Sequence, residues 1–185
     1  MKDQFPTIHT ESFILKQFTA NDLENVFRGL SNPDVIKYYG ISFNSLEETK
    51  EQLTWFADLE KHKTGIWWAI YSKDETTFYG AGGFNDLDKA NQKAEIGFWL
   101  LPEHWGKGIL KKVFPLLCNY GFTTLNLQRI EGFVETKNMN CKKAMAKTGF
   151  KHEGTKINCE IKNGNYISLA VYSKTNPKRP YNPQG

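Results

Sequence analysis

Apolar residues recur at helical intervals in several stretches of the chain, and the first of these stretches covers residues 23–30. A helix there would have Thr19 at its N-cap and Asp22 three residues further on, which is the spacing of a capping box. Proline pushes the residue before it towards extended angles, so the Asn32-Pro33 pair predicts the end of this helix.

Two other stretches carry similar start and stop signals. Ser45 and Glu48 form a second capping-box pair, and the apolar spacing after them predicts a helix that continues to about Gly65. The segment "NMNCKKAMAKTGF" predicts a short helix that ends at Gly149, because glycine is favoured just after the last helical residue.

β-Branched and aromatic residues dominate the stretches between these helices, which favours strands. The glycines of "FYGAGGF" indicate close approach of another backbone or of a ligand. Gly97 interrupts a later strand, and Asn163-Gly164 is a hairpin signal. The predicted strands cover residues 13–18, 66–72, 78–84, 94–101 and 129–135, together with the two hairpin arms at 152–161 and 166–173.

The predicted order is strand, two helices, three antiparallel strands, helix, strand, helix and final hairpin, which indicates a mixed α/β or α+β fold. At 185 residues the chain is long enough for one well-buried core and too short for two ordinary domains. We therefore expect a single domain over residues 1–185, with its core at about 8–174 and a flexible tail at 175–185.

The composition narrows the classes of ligand. Hydrophobic residues make up 39% of the chain and charged residues 24%, which is ordinary for a soluble globular protein. The net charge of +4 suits an anionic small molecule, but nucleic acid usually demands a concentrated basic stripe, so none is expected as a partner. No apolar run approaches the roughly 20 residues of a membrane span, and no secretory signal is recognisable.

The cysteines, Cys118, Cys141 and Cys159, are odd in number and lack CxxC spacing. This pattern disfavours both a disulfide framework and a zinc site. We expect a cytoplasmic protein with free thiols, without a bound metal and without membrane association.

A glycine-containing loop joins the strand that stops at Pro102 to a helix predicted over residues 107–124, in which Pro115 should cause a kink. The loop contains Gly106-Lys107-Gly108. The first N–H groups of a helix have no internal partner, and glycine lets an anion approach them closely. A Walker loop would need GxxxxGK[ST], and Lys111 occupies the third glycine position of a Rossmann motif, so neither fits. A pyrophosphate loop and a plain tight turn are the two interpretations that the loop itself allows.

The surroundings of the loop favour pyrophosphate. "AEIGFWLLPEHWGKGILKK" and then "LNLQRIEGFVETKNMNCKKAMAKTGFKHEGT" resemble the GNAT superfamily of acetyl-CoA-dependent N-acetyltransferases. The resemblance is to its RimJ/RimL-like branch, which acetylates ribosomal protein N-termini, and it covers residues from about Thr10 to Ser173. It implies a mixed, mostly antiparallel sheet flanked by helices with splayed central strands, acetyl-CoA as cofactor and coenzyme A as co-product.

The resemblance assigns backbone N–H donors for the pyrophosphate to the loop and the helix start, with Trp105 at the first position of the motif. It assigns the thioester and the pantetheine arm to the backbone of a bulged strand, with Gly97 as the expected bulge and ordinary core packing as the alternative for the side chains. The implied cofactor-binding residues are Phe98, Trp99, Leu100, Trp105, Gly106, Lys107, Gly108, Ile109, Leu110, Asn138 and Cys141.

Acetyl transfer needs a neutral amine, although a lysine-like amine has a reference pKa of roughly 10. Glu95 lies where several family members carry a catalytic glutamate, so the resemblance implies that it is the base, acting directly or through a water. The alternative is a strand carboxylate that pairs with a neighbouring lysine.

Asn138 matches the first residue of the branch's N-x-x-S element, which contacts the cofactor near its thiol, and asparagine also suits a helix N-cap. Cys141 replaces the serine of that element, and Met145 stands where other members use a tyrosine as general acid. A thiol can donate a proton to the leaving thiolate, so Cys141 is the candidate general acid. A small buried filler is the alternative role.

These residues predict an N-acetyltransferase that moves an acetyl group from acetyl-CoA to a primary amine, by direct transfer in a ternary complex. The acceptor would be a protein N-terminus or a small-molecule amine, and the protein a monomer or homodimer. A non-catalytic acyl-CoA-binding module is the alternative, because the serine and tyrosine are missing. The acceptor site is expected at Tyr38, Tyr39, Phe43 and the strand that carries Trp67 and Trp68.

Overall fold

The computed structural model describes residues 4–179, which form an eight-stranded sheet with helices around it. The strands follow the order β1-β2-β3-β4-β5-β6-β8-β7, and the pairings are mostly antiparallel. The strands are β1 Ile8–His9, β2 Phe13–Lys16, β3 Ile66–Ser72, β4 Phe78–Asp88, β5 Lys93–Leu100, β6 Arg129–Glu135, β7 Lys151–Lys162 and β8 Asn165–Thr175. The helices are α1 Leu23–Leu30, α2 Pro33–Ile36, α3 Leu46–His62, α4 Ile109–Thr123 and α5 Met139–Lys147.

Both predicted capping boxes mark real helix starts. Asp22 accepts a hydrogen bond from the backbone N–H of Thr19 at 2.7 Å, and a short 3₁₀ turn then leads into α1. Ser45 caps α3 by accepting from the N–H of Glu48 at 3.2 Å. The Asn32-Pro33 pair does end the first helix, but it also begins α2, because proline suits the first helical position.

Contacts within the chain divide it into two compact units. The first unit comprises the described residues up to Asn85 together with Gly97–Ile109, and the second comprises Asp86–Ile96 together with the chain from Leu110 onwards. The core of the first unit is rich in buried aromatic side chains from α3, β3, β4 and β5, among them Phe56, Trp67, Phe78 and Trp99.

Glycines in β4 allow the close backbone approach that the sequence predicted. A Cβ at Gly83 would lie 2.5 Å from the Cα of Trp67, and one at Gly80 would overlap the backbone of Trp99 and Leu100. The register shift between β3 and β4 lies at Ile70/Tyr71, and the bulge expected at Gly97 stays a prediction. Gly97 makes room for the indole of Trp67, which would lie 2.6 Å from an added Cβ.

The second unit contains the only parallel ladder described, in which Lys93–Glu95 of β5 pair with Arg129–Glu131 of β6. The predicted hairpin joins β7 to β8 through Asn163 and Gly164, whose φ values of 49° and 75° match a two-residue turn with positive φ at both positions. The register of β7 against β8 shifts between Lys156 and Glu160.

Two helices cover the sheet of the second unit. Val113, Phe114 and Leu117 of α4 are fully buried, and the ring of Phe114 packs against Phe150. α5 ends at Lys147 with Thr148 as its C-cap, and Gly149, whose φ is 83°, follows the cap as predicted.

The predicted flexible tail, 175–185, overlaps ordered structure at its start. Thr175 is the last residue of β8, and the buried Asn176 donates from its backbone N–H to the carbonyl of Gln128 at 2.9 Å. Residues 180–185 of that prediction lie outside the described residues. Within residues 4–179, no helix is long and apolar enough to cross a membrane.

Candidate active site

The Gly106-Lys107-Gly108 loop presents an open backbone. Both glycines have a φ of 74°, which disfavours any side chain, and a Cβ at either position would meet no atom within 4 Å. Packing therefore does not require these glycines. The conformation requires them, and the result is an exposed stretch of backbone that a ligand can approach.

The helix after the loop begins at Ile109, two residues later than the sequence predicted. The whole Gly106-Lys107-Gly108 segment therefore lies ahead of the helix, and the first turn of α4 has N–H groups without intrahelical partners. The side chain of Ile109 is buried, whereas Lys107, Lys111 and Lys112 are exposed.

Two side chains that precede the glycines hold the loop in place. The indole N–H of Trp105 donates to the carbonyl oxygen of Leu100 at 2.8 Å, so the loop is tied to the end of β5. The ring of His104 packs edge-on against Tyr79, with 4.8 Å between ring centroids. Burial lowers the pKa of His104, which favours its neutral form. Sequence reasoning missed the anchoring by His104, because a single histidine before a glycine loop has no distinguishing pattern.

The predicted strand contacts, Phe98, Trp99 and Leu100, lie in the last part of β5. Trp99 is a core residue, as the alternative interpretation had it, and its ring packs where a Cβ at Gly29 would fall. The carbonyl of Leu100 is already engaged by Trp105.

Glu95 lies in β5, half-buried, directly opposite Glu131 of β6 in the parallel ladder. Lys93, two residues earlier on the same strand, places its Nζ 3.4 Å from Glu131 Oε2. Glu95 thus belongs to a charged face of the second unit.

Asn138 caps α5, because its Oδ1 accepts a hydrogen bond from the N–H of Cys141 at 3.0 Å. The N-cap role that the sequence allowed for Asn138 is therefore confirmed. Burial raises the pKa of Cys141 to about 12, so its thiol keeps its proton at neutral pH. Met145 is buried over Gly132, where an added Cβ would lie 2.5 Å from the methionine Cε.

The predicted acceptor residues do not all share one surface. Phe43 and Trp67 belong to the buried cluster of the first unit, and Tyr39 packs against it. Trp68 points to the opposite face of β3, as successive strand residues must, and its indole donates to the carbonyl of Pro6 at 2.8 Å. Trp68 is therefore a structural residue and not part of an acceptor site with Trp67.

No cluster of three or more histidine, cysteine, aspartate or glutamate side chains that could hold a metal ion occurs in residues 4–179.

Residues 12–151 match the acetyltransferase (GNAT) domain family. The N-acetyltransferase YoaA of Bacillus subtilis, itself uncharacterized, is 35% identical over 94% of this chain and 99% of its own length. The chain therefore belongs to the GNAT acetyltransferases, and its class of activity is N-acetyl transfer. The relatives include ribosomal-protein acetyltransferases, which supports the RimJ/RimL-like resemblance.

Other relatives act on different amines. The spermidine N(1)-acetyltransferase of Escherichia coli is 27% identical over 87% of this chain and 83% of its own length. The ribosomal-protein-serine acetyltransferase of the same organism is 25% identical over 70% of this chain and 72% of its own.

Solved structures share the fold. A probable acetyltransferase has a TM-score of 0.83 at 23% identity, covering 94% of this chain and 98% of that one. The spermidine N-acetyltransferase of Vibrio cholerae, in complex with CoA and spermine, has a TM-score of 0.79 at 20% identity. The match covers 90% of this chain and 96% of that one.

Proposed function

We propose that the protein transfers the acetyl group of acetyl-CoA directly to a primary amine within a ternary complex. The observation that carries this proposal is the open backbone at Gly106 and Gly108, immediately ahead of α4. Unpaired N–H groups at a helix start favour a phosphate ligand, and a coenzyme A pyrophosphate has the charge and size to use them. The CoA bound to the Vibrio cholerae relative gives further support.

The cofactor contacts follow from this placement. The pyrophosphate would accept hydrogen bonds from backbone groups of residues 105–110, with Lys107 adding positive charge. The backbone of Phe98, Trp99 and Leu100 would hold the thioester and pantetheine. The assignment of Asn138 and Cys141 to the thiol end of the cofactor comes from the family resemblance and stays a prediction.

The acceptor amine must lose a proton to attack the thioester. Glu95 is the proposed base, acting directly or through one water, because its half-buried carboxylate lies on a strand face that carries other charged groups. The acceptor is a protein N-terminus or a small-molecule amine, and the relatives include enzymes for both. We place the reaction in the cytoplasm, with a monomer or homodimer as the working assembly.

The proposal is tested at Gly108. Acetyl-CoA at a hundredfold excess over its Kd should raise the Tm by roughly 5–10 °C, since a ligand that binds only the native state stabilises it. Gly108→Asp should abolish this rise by placing a side chain and a negative charge in the loop. The measurement is thermal unfolding with and without acetyl-CoA.

Gly164→Asp is the matched control, because Gly164 has a φ of 75° and equally open surroundings but lies in the β7–β8 turn. It should lose a similar amount of stability and keep the full acetyl-CoA response. An undiminished response in Gly108→Asp would move the cofactor site away from this loop.

A further inference from the structure

Glu131 is the side chain of β6 that stands beside the proposed base. In the parallel ladder, the Cα partner of Glu95 is Glu131, and neighbouring strands lie about 4.8 Å apart. Residues two apart on a strand share a face, and Lys93 reaches Glu131 across the strands. Lys93, Glu95 and Glu131 therefore lie on one face of the second unit.

Two cations hold Glu131 in its ionised form. Arg129 donates from its Nε to Glu131 Oε1 at 2.9 Å, and Lys93 donates to Oε2 at 3.4 Å. Burial acts to raise the pKa of Glu131, but the hydrogen bonds and charges of Arg129 and Lys93 outweigh it and lower that pKa. The side chain is only 19% exposed, so solvent screens its charge weakly.

The charge around Glu95 comes from several neighbouring elements of this unit. Arg129 is shared between Glu131 and Glu153, and its Nη1 donates to Glu153 at 3.0 Å. The positive charge of Lys93 is one of the causes that lower the pKa of Asp88, the last residue of β4. The charged groups linked to Glu131 directly or through one neighbour are Asp88 of β4, Lys93 of β5, Arg129 of β6 and Glu153 of β7, whereas Glu135 of β6 pairs with Lys162 of β7.

We propose that Glu131 is a positioning residue that tunes Glu95: its fixed negative charge strengthens Glu95 as a proton acceptor, and Lys93 opposes it. This inference rests on the proposed role of Glu95 as the base. A carboxylate is a poor acceptor for an ammonium proton at its ordinary pKa, so a negative neighbour that raises its proton affinity assists the reaction. When their surroundings differ, two nearby carboxylates have different pKa values, and the one with the higher pKa can serve as the base.

Glu131→Gln tests the proposal through the titration of Glu95 itself. The protein is labelled with carboxyl-¹³C glutamate, and the Glu95 signal is assigned by its loss in Glu95→Gln. Removal of the Glu131 charge leaves Arg129 and Lys93 less neutralised, so the titration midpoint of Glu95 should fall by about 0.5–1 pH unit. Lys93→Met should move it in the opposite direction, which keeps the test decisive if Glu131→Gln folds poorly.

Glu153→Gln is the matched control. It removes a carboxylate from the same Arg129, but β7 is separated from β5 by β6 and β8 in the sheet. The Glu95 midpoint should then change by less than about 0.2 pH unit. An unchanged midpoint in Glu131→Gln, or an equal shift in Glu153→Gln, would overturn the proposal.

Turnover links the titration to the reaction. With acetyl-CoA and a short peptide that has a free N-terminal serine, the acidic limb of the kcat/KM profile should follow the Glu95 midpoint in each variant. The ionisation of the peptide amine is common to all variants and cancels in the comparison. Glu95→Gln should reduce turnover by roughly 10²-fold or more. Full turnover in that variant would contradict the role of Glu95 as the base, whereas acetyl transfer itself is judged by turnover in the wild type and by the Gly108 test. The carboxylate titration would still judge the electrostatic effect of Glu131 separately.

Discussion

At the residue scale, Cys141 and Met145 stand at the two positions where the family resemblance implies hydroxyl groups, a serine and a tyrosine. Met145 has no proton to donate and fills the space above Gly132. Cys141, with a pKa of about 12, is a weaker acid than a free thiol, whose pKa is about 8.5. A coenzyme A thiolate is comparable to a free thiol, so at mildly alkaline pH it can leave without prior protonation.

Cys141→Ser and Cys141→Ala separate acid catalysis from packing. If Cys141 donates a proton, the alanine variant should turn over several-fold more slowly with unchanged acetyl-CoA affinity, and the serine variant should keep or gain activity. If Cys141 only fills space, alanine should lower the Tm through a small cavity and leave turnover per folded molecule unchanged. Turnover and Tm are measured for both variants, and equal turnover in all three proteins would remove Cys141 from the reaction.

The sequence predicts most accurately the residues whose hydrogen-bond partners lie within a few positions of them in the chain. Thr19, Ser45 and Asn138 could be predicted as helix caps because the hydrogen bonds involved are local. Ser45 and Asn138 accept from N–H groups three residues further on, and the N–H of Thr19 donates to the side chain of Asp22. The partners of Glu131 and Trp105 could not be assigned in this way. Their contacts depend on strand register and on the path of a loop, which no local spacing encodes.

At the element scale, the turn over Pro102–His104 and the following loop act as one anchored connection between β5 and α4. The helical pattern of the sequence predicts that α4 starts at Lys107, two residues before its observed start at Ile109. The positive φ of Gly108 prevents Lys107 and Gly108 from joining the helix. β1 and α2 were missed for a different reason: two and four residues are too short to show a periodic pattern.

Trp105→Phe tests the anchoring of this connection. The change keeps an aromatic ring, although a smaller one than the indole, and removes the N–H that donates to Leu100, a bond worth about 1 kcal/mol. Because the loop is then less restrained before binding, the Kd for acetyl-CoA should rise roughly three- to tenfold. Titration calorimetry measures the change.

Trp68→Phe removes an equivalent bond, from an indole N–H to a backbone oxygen at 2.8 Å, away from the loop. It should lower the Tm and leave the Kd unchanged. The anchoring role would be refuted if the two variants weakened acetyl-CoA binding equally.

At the scale of the whole molecule, neither contact unit is a continuous stretch of sequence. The chain passes from one unit to the other inside β4, inside β5 and at the start of α4. A linker signal depends on polar, irregular sequence between elements, so none could be found at these crossings, and a single domain was the correct prediction. The splaying of the central strands remains an implication of the family resemblance.

The acid stability of the protein should depend on the ionic cluster of the last strands. Hydrogen bonds from Arg129 and Ser173 lower the pKa of Glu153 from 4.5 to about 2. A lowered folded-state pKa stabilises the protein above about pH 4.5, and this contribution is lost as the pH falls towards 2. Glu153→Gln should therefore lower the Tm by about 1–3 °C near neutrality. The Tm difference between wild type and this variant, the gap, should disappear as the pH falls from about 5 to about 2. Thermal unfolding across this range measures the gap, and a constant gap would contradict the linkage.

The outermost strand, β7, has a consequence for how copies of the protein behave when crowded. Ile157 and Ile161 are 77% and 67% exposed on it, and a long apolar edge is a template for strand addition by a neighbouring chain. The shifted register around Asn158, whose φ is 48°, bends that edge, and the exposed Lys151 and Lys156 place positive charge on it. These features disfavour edge-to-edge aggregation, so the protein can keep an exposed hairpin without offering it to fibril growth.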